Sequence, residues 1–240
     1  QAEVLVTAPA VAAVPARTAE PREPDALPHR EASGAVTEGL NDADDLVPHG
    51  DAEALAAHYD DQPLMPAATA IGVNASEPAL QVYFLAGALP GLDVENPRQV
   101  SAWRYPRQYG PRSPLFSRGT ILTLNGARQF LISGTASVIG HQTHHENQVA
   151  DQLRESLRNV RSLLDEGHRL MGDARAQLDG DGILKVYIRD PADYERIRAT
   201  LQAEAPADIP RIYLQGDICR ENLLTEIDGI VGCAPVADVP

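Results

Sequence analysis

Between Glu146 and Glu166 the apolar side chains fall at Val149, Leu153, Leu157, Val160, Leu163 and Leu164. Spacing of three and four residues puts them on one face of a helix of about five turns. A helix with one apolar stripe needs a surface to cover, and the flanking segments supply strands. Upstream, Thr120–Leu124 and Gln129–Ser133 are rich in branched and aromatic residues. Downstream, Asp181 and Gly182 make a turn into ILKVYIRD, a third strand. Asp190 opens a second helix, with Pro191 at its first position and Tyr194, Ile197 and Leu201 on one face. RIYLQGDI follows, then a turn around Glu221 and Asn222, then a last strand in LLTEIDGIV. The order β-β-α-β-α-β-β predicts an α+β domain, a mixed sheet covered on one face by two helices.

The start of the chain has a different character. From Gln1 to Asp61 there are 13 acidic and 3 basic residues, a net of −10 out of −14 for the whole chain. Tyr59 is its one aromatic, and Ala, Pro, Glu and Asp dominate. Such a stretch buries too little apolar surface to offset its ordering entropy, so residues 1–62 are expected to be mostly disordered. Asp51–Tyr59 could form a short helix with Asp51 as its cap. Order should begin near Pro66. ALQVYFLAGAL, Ala79–Leu89, lies between Pro78 and Pro90 and reads as a buried strand. An apolar strand left at an edge is an association site.

Charge and composition exclude several classes. A net charge of −14 argues against nucleic acid and anionic membranes as partners. There is no apolar run of about 18 residues, so no membrane-spanning helix is expected. The apolar stretch Gln1–Ala16 has no basic residues before it and reads as neither signal peptide nor anchor. Cys219 and Cys233 are the only cysteines, too few for a disulfide framework, which points to a cytoplasmic protein. Lys185 is the only lysine and reads as compositional bias. No P-loop, G-x-G-x-x-G or G-x-S-x-G occurs, so no nucleotide cofactor and no serine-hydrolase elbow is expected. His141, His144 and His145 form H-x-x-H-H, but no cysteine or carboxylate stands at a matching spacing, and no metal is expected.

Two features carry more chemistry. Arg98, Arg104, Arg107, Arg112 and Arg118 cluster in one segment, with Trp103, Tyr105 and Tyr109 between them. Guanidinium forks suit carboxylates, and arginines stacked on surface aromatics are the plainer alternative. In LLTEIDG, strand alternation puts Glu226 and Asp228 on one face and Ile227 on the other. If buried, Glu226 would have a raised pKa and could hold a proton at neutral pH; on an edge it would be a solvated acid.

These segments together resemble a known family. SGTAS (Ser133–Ser137), the helix from Asp151 to Gly167, LKVYIRDPADYERI (Leu184–Ile197) and EID (Glu226–Asp228) resemble the Rid/YjgF pattern. Arg211, 15 residues before Glu226, resembles that superfamily's arginine–glutamate pair. Within it, PAATAIG (Pro66–Gly72), ENPRQVSAWRYPRQYGPRSPLFSR (Glu95–Arg118), SGTASVIGH (Ser133–His141) and GDICRENLLTEIDG (Gly216–Gly229) closely resemble the chorismatases. The resemblance implies a Rid/YjgF-like sheet. It divides the chain into the acidic segment 1–62, a remnant of an N-terminal Rid-like domain with a substrate loop at 63–119, and a C-terminal Rid/YjgF-like domain at 120–240.

The resemblance also implies an activity: chorismate hydrolysed to 3-hydroxybenzoate and pyruvate, without cofactor, for secondary metabolism. Glu226 matches the family's catalytic glutamate, and Cys219 the cysteine of hydroxybenzoate-forming members. Tyr105 and Arg118 match substrate contacts. Arg211 would meet a carboxylate by analogy with the superfamily, and Gly134 would shape product choice. Rid-like domains commonly form trimers, so a homo-oligomer, a trimer, is expected, with Arg118 or Arg211 near a subunit boundary. The family's Y-x2-F-x2-G-R-like motif is not found before Pro66. Two alternatives therefore stay open: a truncated, inactive binder of aromatic carboxylates, and a Rid-type imine deaminase using Arg211 and Glu226.

Overall fold

A computed structural model of the chain describes residues 5–6, 65–72, 90–110, 113–124 and 126–235. The expected disorder of the acidic segment, the helix at Asp51–Tyr59 and the strand at Ala79–Leu89 lie outside the described residues, apart from a two-residue strand near the start.

The strands are β1 (Leu5–Val6), β2 (Leu92–Val94), β3 (Gly119–Leu124), β4 (Ala127–Ala136), β5 (Val138–Ile139), β6 (Gln142–Thr143), β7 (Ala174–Ala176), β8 (Ile183–Ile188), β9 (Arg211–Gln215) and β10 (Thr225–Pro235). The helices are α1 (Val149–Met171) and α2 (Tyr194–Glu204). The main sheet runs β1-β9-β8-β10-β4-β3-β2, with β7 added on β10; β5 and β6 form a separate hairpin. β8 and β9 are parallel, joined through α2, while β4 and β8 flank β10 antiparallel. This is the mixed sheet with two helices expected for the Rid/YjgF-like pattern. The expected boundary at 119/120 falls within β3, and β2, from the segment before it, is its sheet neighbour. Among the described residues no helix is long and apolar enough to cross a membrane.

Alternation on β8 shows how the sheet is sided. Leu184, Val186 and Ile188 are fully buried against the helices, while Lys185 and Tyr187 point to the other face. On the helix side, Leu153, Leu157, Val160 and Leu163 of α1 pack with Phe130, Ile132, Ile227 and Val231 of the two central strands. α2 adds Ile197 and Leu201 beside Tyr213. The observed α1 starts later and ends later than the apolar spacing alone predicts. His145 and Asn147 both have φ of 60°, a left-handed turn that delays the first helical residue. Gly172, at φ 71°, ends the helix with its N–H on the His168 carbonyl.

α1 has a second, polar buried edge that fastens loops to the sheet. Gln152 donates to the Asn222 carbonyl at 2.7 Å and accepts from the Leu224 N–H at 2.7 Å. Asn159 donates to the carbonyls of Ala136 and Val138 at 3.0 and 2.9 Å. Glu155 takes Arg98 and Arg158. On the opposite face, residues 65–72 cross the sheet: the Ala67 N–H reaches Thr120 Oγ1, the Ala68 carbonyl accepts from Gly134, and Gly72 pairs with Asp217.

Gly167 gives a direct test of this packing. A methyl group there would lie 2.8 Å from Cε1 of Phe130, which is fully buried. Alanine raises helix propensity by about 1 kcal/mol over glycine, but overpacking a closed core costs about 1–3 kcal/mol. Gly167→Ala should therefore lower stability in urea unfolding, against its propensity.

Candidate active site

Glu226 stands on β10, in the middle of the sheet, paired with Ala136 of β4 and Tyr187 of β8. It faces away from the helices, yet it is only 5% exposed. The register between β4 and β10 slips at this point. Thr135 pairs with Ile227 and Ile132 with Gly229, so Ser133 and Gly134 together oppose Asp228. Such a bulge re-aims side chains, and here it brings the bare Cα of Gly134 against the glutamate. A Cβ on Gly134 would lie 3.0 Å from Glu226 Cδ and 3.1 Å from Thr69 Cγ2. Glycine thus leaves room for the carboxyl, and Thr69 of the crossing segment closes over it.

Burial pushes the Glu226 carboxyl up to about 8, the Asp228 carboxylate adds to the shift, and Arg118 opposes it. Asp228, two residues on and 3% exposed, accepts from Lys185 Nζ and from Tyr187 OH, each at 2.9 Å on Oδ2. Lys185 Nζ also lies 3.1 Å from Tyr187 OH. Burial and the neighbouring carboxylates push the Tyr187 phenol upward, so it is a donor at neutral pH.

Arg118 bounds the site on the β3 side. Of the four described arginines of its cluster it alone is buried, at 4% exposure; Arg112 lies outside the described residues. Its Nη2 donates to the Val100 carbonyl at 2.8 Å and to Tyr105 OH at 2.7 Å, and its backbone N–H donates to Glu95. Its Nε is buried without a partner among the described residues. Tyr105 lies between two guanidinium groups, Arg118 at 5.4 Å and Arg220 at 5.1 Å from its ring centroid. Arg220 also stacks 3.9 Å over Tyr109 and donates to the His141 carbonyl at 2.9 Å.

The structure thus gathers Glu226, Gly134, Arg118 and Tyr105. Arg211 requires a correction. It shares a face of β9 with Tyr213, which is packed in the helix-side core, and its guanidinium donates to the carbonyls of Ala205 and Pro206 after α2. Arg211 and Glu226 are on opposite faces of the sheet and do not form a pair. Cys219 is exposed on the loop before β10. Lys185, set aside in the sequence as compositional bias, is a member of the Asp228 network. Its signal was its alternation with Leu184 and Val186. Arg220 was also missed, though it lies next to Cys219 in GDICR.

The histidines serve other contacts. Tyr109 OH is 3.1 Å from His141 Nδ1, and His145 Nε2 is 3.5 Å from Glu155. Among the described residues no group of three His, Cys, Asp or Glu side chains is gathered as a metal ion would need. A cleft of about 420 Å³ lies on the helix side between α1, β7 and the segment after α2, and none of the residues around Glu226 lines it.

Comparison with known proteins places these residues in context. No family model matches the chain. A 3-hydroxybenzoate synthase of Streptomyces hygroscopicus is 38% identical over 176 residues, which cover 69% of this chain and 50% of that protein. A chorismatase of Streptomyces rapamycinicus is 38% identical over 188 residues, covering 76% of this chain and 55% of the other. A crystal structure of a chorismatase superposes with a TM-score of 0.63 at 33% identity, over 76% of this chain and 55% of that one. The chain spans about half the length of the curated relatives it matches.

The buried acid sets a pH dependence of stability. In the unfolded chain Glu226 loses its proton near 4.5, in the folded chain near 8. Between those values the native state holds one more proton, so stability falls as pH rises, by up to about 1.4 kcal/mol per pH unit. Below the lower value both states are protonated and the cost vanishes. Glu226→Gln should lose this slope, so its stability relative to the wild type should improve steadily from pH 5 to pH 8 in urea unfolding. A constant difference would mean that the carboxyl ionises normally.

Proposed function

The chain is a relative of the chorismatases, and we propose that it converts chorismate to 3-hydroxybenzoate and pyruvate, with Glu226 as the general acid. The observation that carries this reading is a carboxyl buried beside an arginine–tyrosine pair and held up to about 8, so that it keeps its proton at neutral pH. Chorismate has two carboxylates and an enol ether. Glu226 would protonate the methylene carbon, making the methyl group of pyruvate and leaving an oxocarbenium ion. The ring hydroxyl oxygen then bonds to the adjacent ether-bearing carbon and gives up its proton as pyruvate leaves with the ether oxygen. The resulting arene oxide opens at its original carbon, and the hydrogen of the former ether-bearing carbon is lost while the oxygen takes up a proton, which makes the ring aromatic with its hydroxyl at the 3-position. As many protons leave as enter, which returns the acid to its starting state. Arg118, through its buried Nε, would take one carboxylate, with Tyr105 holding its fork in place. Gly134 would leave the acid room to take its place on this face of the sheet.

A second reading, in which the chain binds aromatic carboxylates without turnover, would rest on the same buried arginine–tyrosine pair. The imine deaminase reading has no such support, because it needs Arg211 beside Glu226 and the two lie on opposite faces.

Incubation with chorismate, following pyruvate with lactate dehydrogenase and the aromatic product by chromatography, separates these readings. Binding of 3-hydroxybenzoate without pyruvate release would favour the second. Glu226→Gln should lower turnover by roughly 10²-fold or more, because an amide cannot supply the proton. Wild-type turnover should fall along a basic limb near pH 8, where the acid ionises. A mutant close to the wild-type rate would remove Glu226 from the chemistry.

Product choice is assigned to Cys219. Cys219→Ala should shift the product from 3-hydroxybenzoate toward a non-aromatic diol, since alanine leaves water as the competitor. An unchanged product ratio would return this exposed thiol to the surface of its loop.

A further inference from the structure

Asp228 is a buried carboxylate used on one side only. Oδ2 receives Lys185 and Tyr187, both from β8, at 2.9 Å each. Oδ1 is buried and has no hydrogen-bond partner among the described residues. The two oxygens of a carboxylate diverge, so Oδ1 faces away from the Lys185–Tyr187 pair. Buried carboxylate oxygens are costly to leave without a donor, and in native proteins one left open marks a place where something else donates.

Its position says what that donor belongs to. Asp228 and Glu226 share a face of β10, about 7 Å apart along the strand. Arg118, close enough to Glu226 to oppose its shift, has the complementary gap, a buried Nε without an acceptor among the described residues. The acid is thus flanked by one unfilled donor and one unfilled acceptor. A molecule seated on Glu226 fills both if it carries an anion at one end and a hydroxyl at the other. Lys185 and Tyr187 act as positioning residues, fixing the carboxylate so that Oδ1 stays turned to the ligand.

We infer that Asp228 is a specificity-determining residue that accepts a hydrogen bond from the ring hydroxyl of the substrate. This rests on the chorismate reading above. Replacing Asp228 with asparagine keeps an oxygen for Lys185 and Tyr187 and turns an NH2 to the ligand, which cannot accept from a hydroxyl.

The test measures binding, separately from turnover. Chorismate and its 4-deoxy analogue are titrated calorimetrically into the Glu226→Gln protein, and into Glu226→Gln combined with Asp228→Asn. The hydroxyl should strengthen binding about 10- to 100-fold in the first protein, and by less than about 3-fold in the second. Should the asparagine variant lose its circular dichroism signature, Asp228→Ala replaces it, since Lys185 is partly exposed and can be solvated. Equal affinity for both ligands in the first protein, or the same preference in both proteins, overturns the inference and leaves water as the partner of Oδ1. Absence of binding by either ligand to the first protein overturns the chorismate reading and the inference with it.

Discussion

The burial of one carboxyl on the open face of the sheet is the constraint from which the rest of the site follows. Glu226 projects from the central strand away from both helices, where a side chain would ordinarily meet water. Residues 65–72 prevent this by crossing the strands, tied to Thr120, Ser133, Gly134 and Asp217. A carboxyl placed there cannot ionise at its usual pH without a large desolvation cost. The crossing segment therefore sets the acidity of Glu226 as well as its position, although it contributes no titratable group. Gly134 belongs to the same constraint, because any side chain there would displace either the acid or Thr69.

The polar edge of α1 does for the loops what the apolar stripe does for the sheet. Gln152 and Asn159 are fully buried, seven residues apart and so on one face of the helix. The first holds the turn before β10, which carries Cys219 and Arg220; the second holds the backbone at the end of β4. Asn96, on the loop toward Arg118, donates to the Asn159 carbonyl. One helix thereby fixes three loops that bring side chains toward the site from different parts of the chain. Gln152 has its side-chain donor and acceptor both engaged and Asn159 its donor, although Asn159 Oδ1 is buried without a partner among the described residues; the bonds they make to loop backbone mark them as positioning elements.

Much of this was legible in the sequence wherever local periodicity matches the final environment. The apolar stripe of α1 and the alternation around Glu226 both predict what is observed, because each element has one side against the core. The boundaries of α1 were less legible, since left-handed turns at His145 and Asn147 leave no trace in the apolar spacing. Short strands such as β2 and β7, three residues each, are too brief to show a period and exist through their partners. Arg211 failed for a related reason. In RIYLQ three apolar residues run consecutively, so alternation does not say which face the arginine takes. A separation of 15 residues between two strands does not say so either.

Lys185 shows the opposite error, a residue discounted for being solitary. An acidic chain with a single lysine can place that cation only once, and it lies 2.9 Å from a carboxylate that is almost wholly buried. Without a cation there, two buried acids two residues apart on one strand would compete for the neutral form. With it, the roles divide. Lys185 and Tyr187 donate to Asp228, and the carboxylate they hold adds to the burial that chiefly raises Glu226, so that the second acid retains its proton. The same division explains why both carboxyls can occupy one face: one is held by hydrogen bonds from β8, and the other is kept neutral by burial.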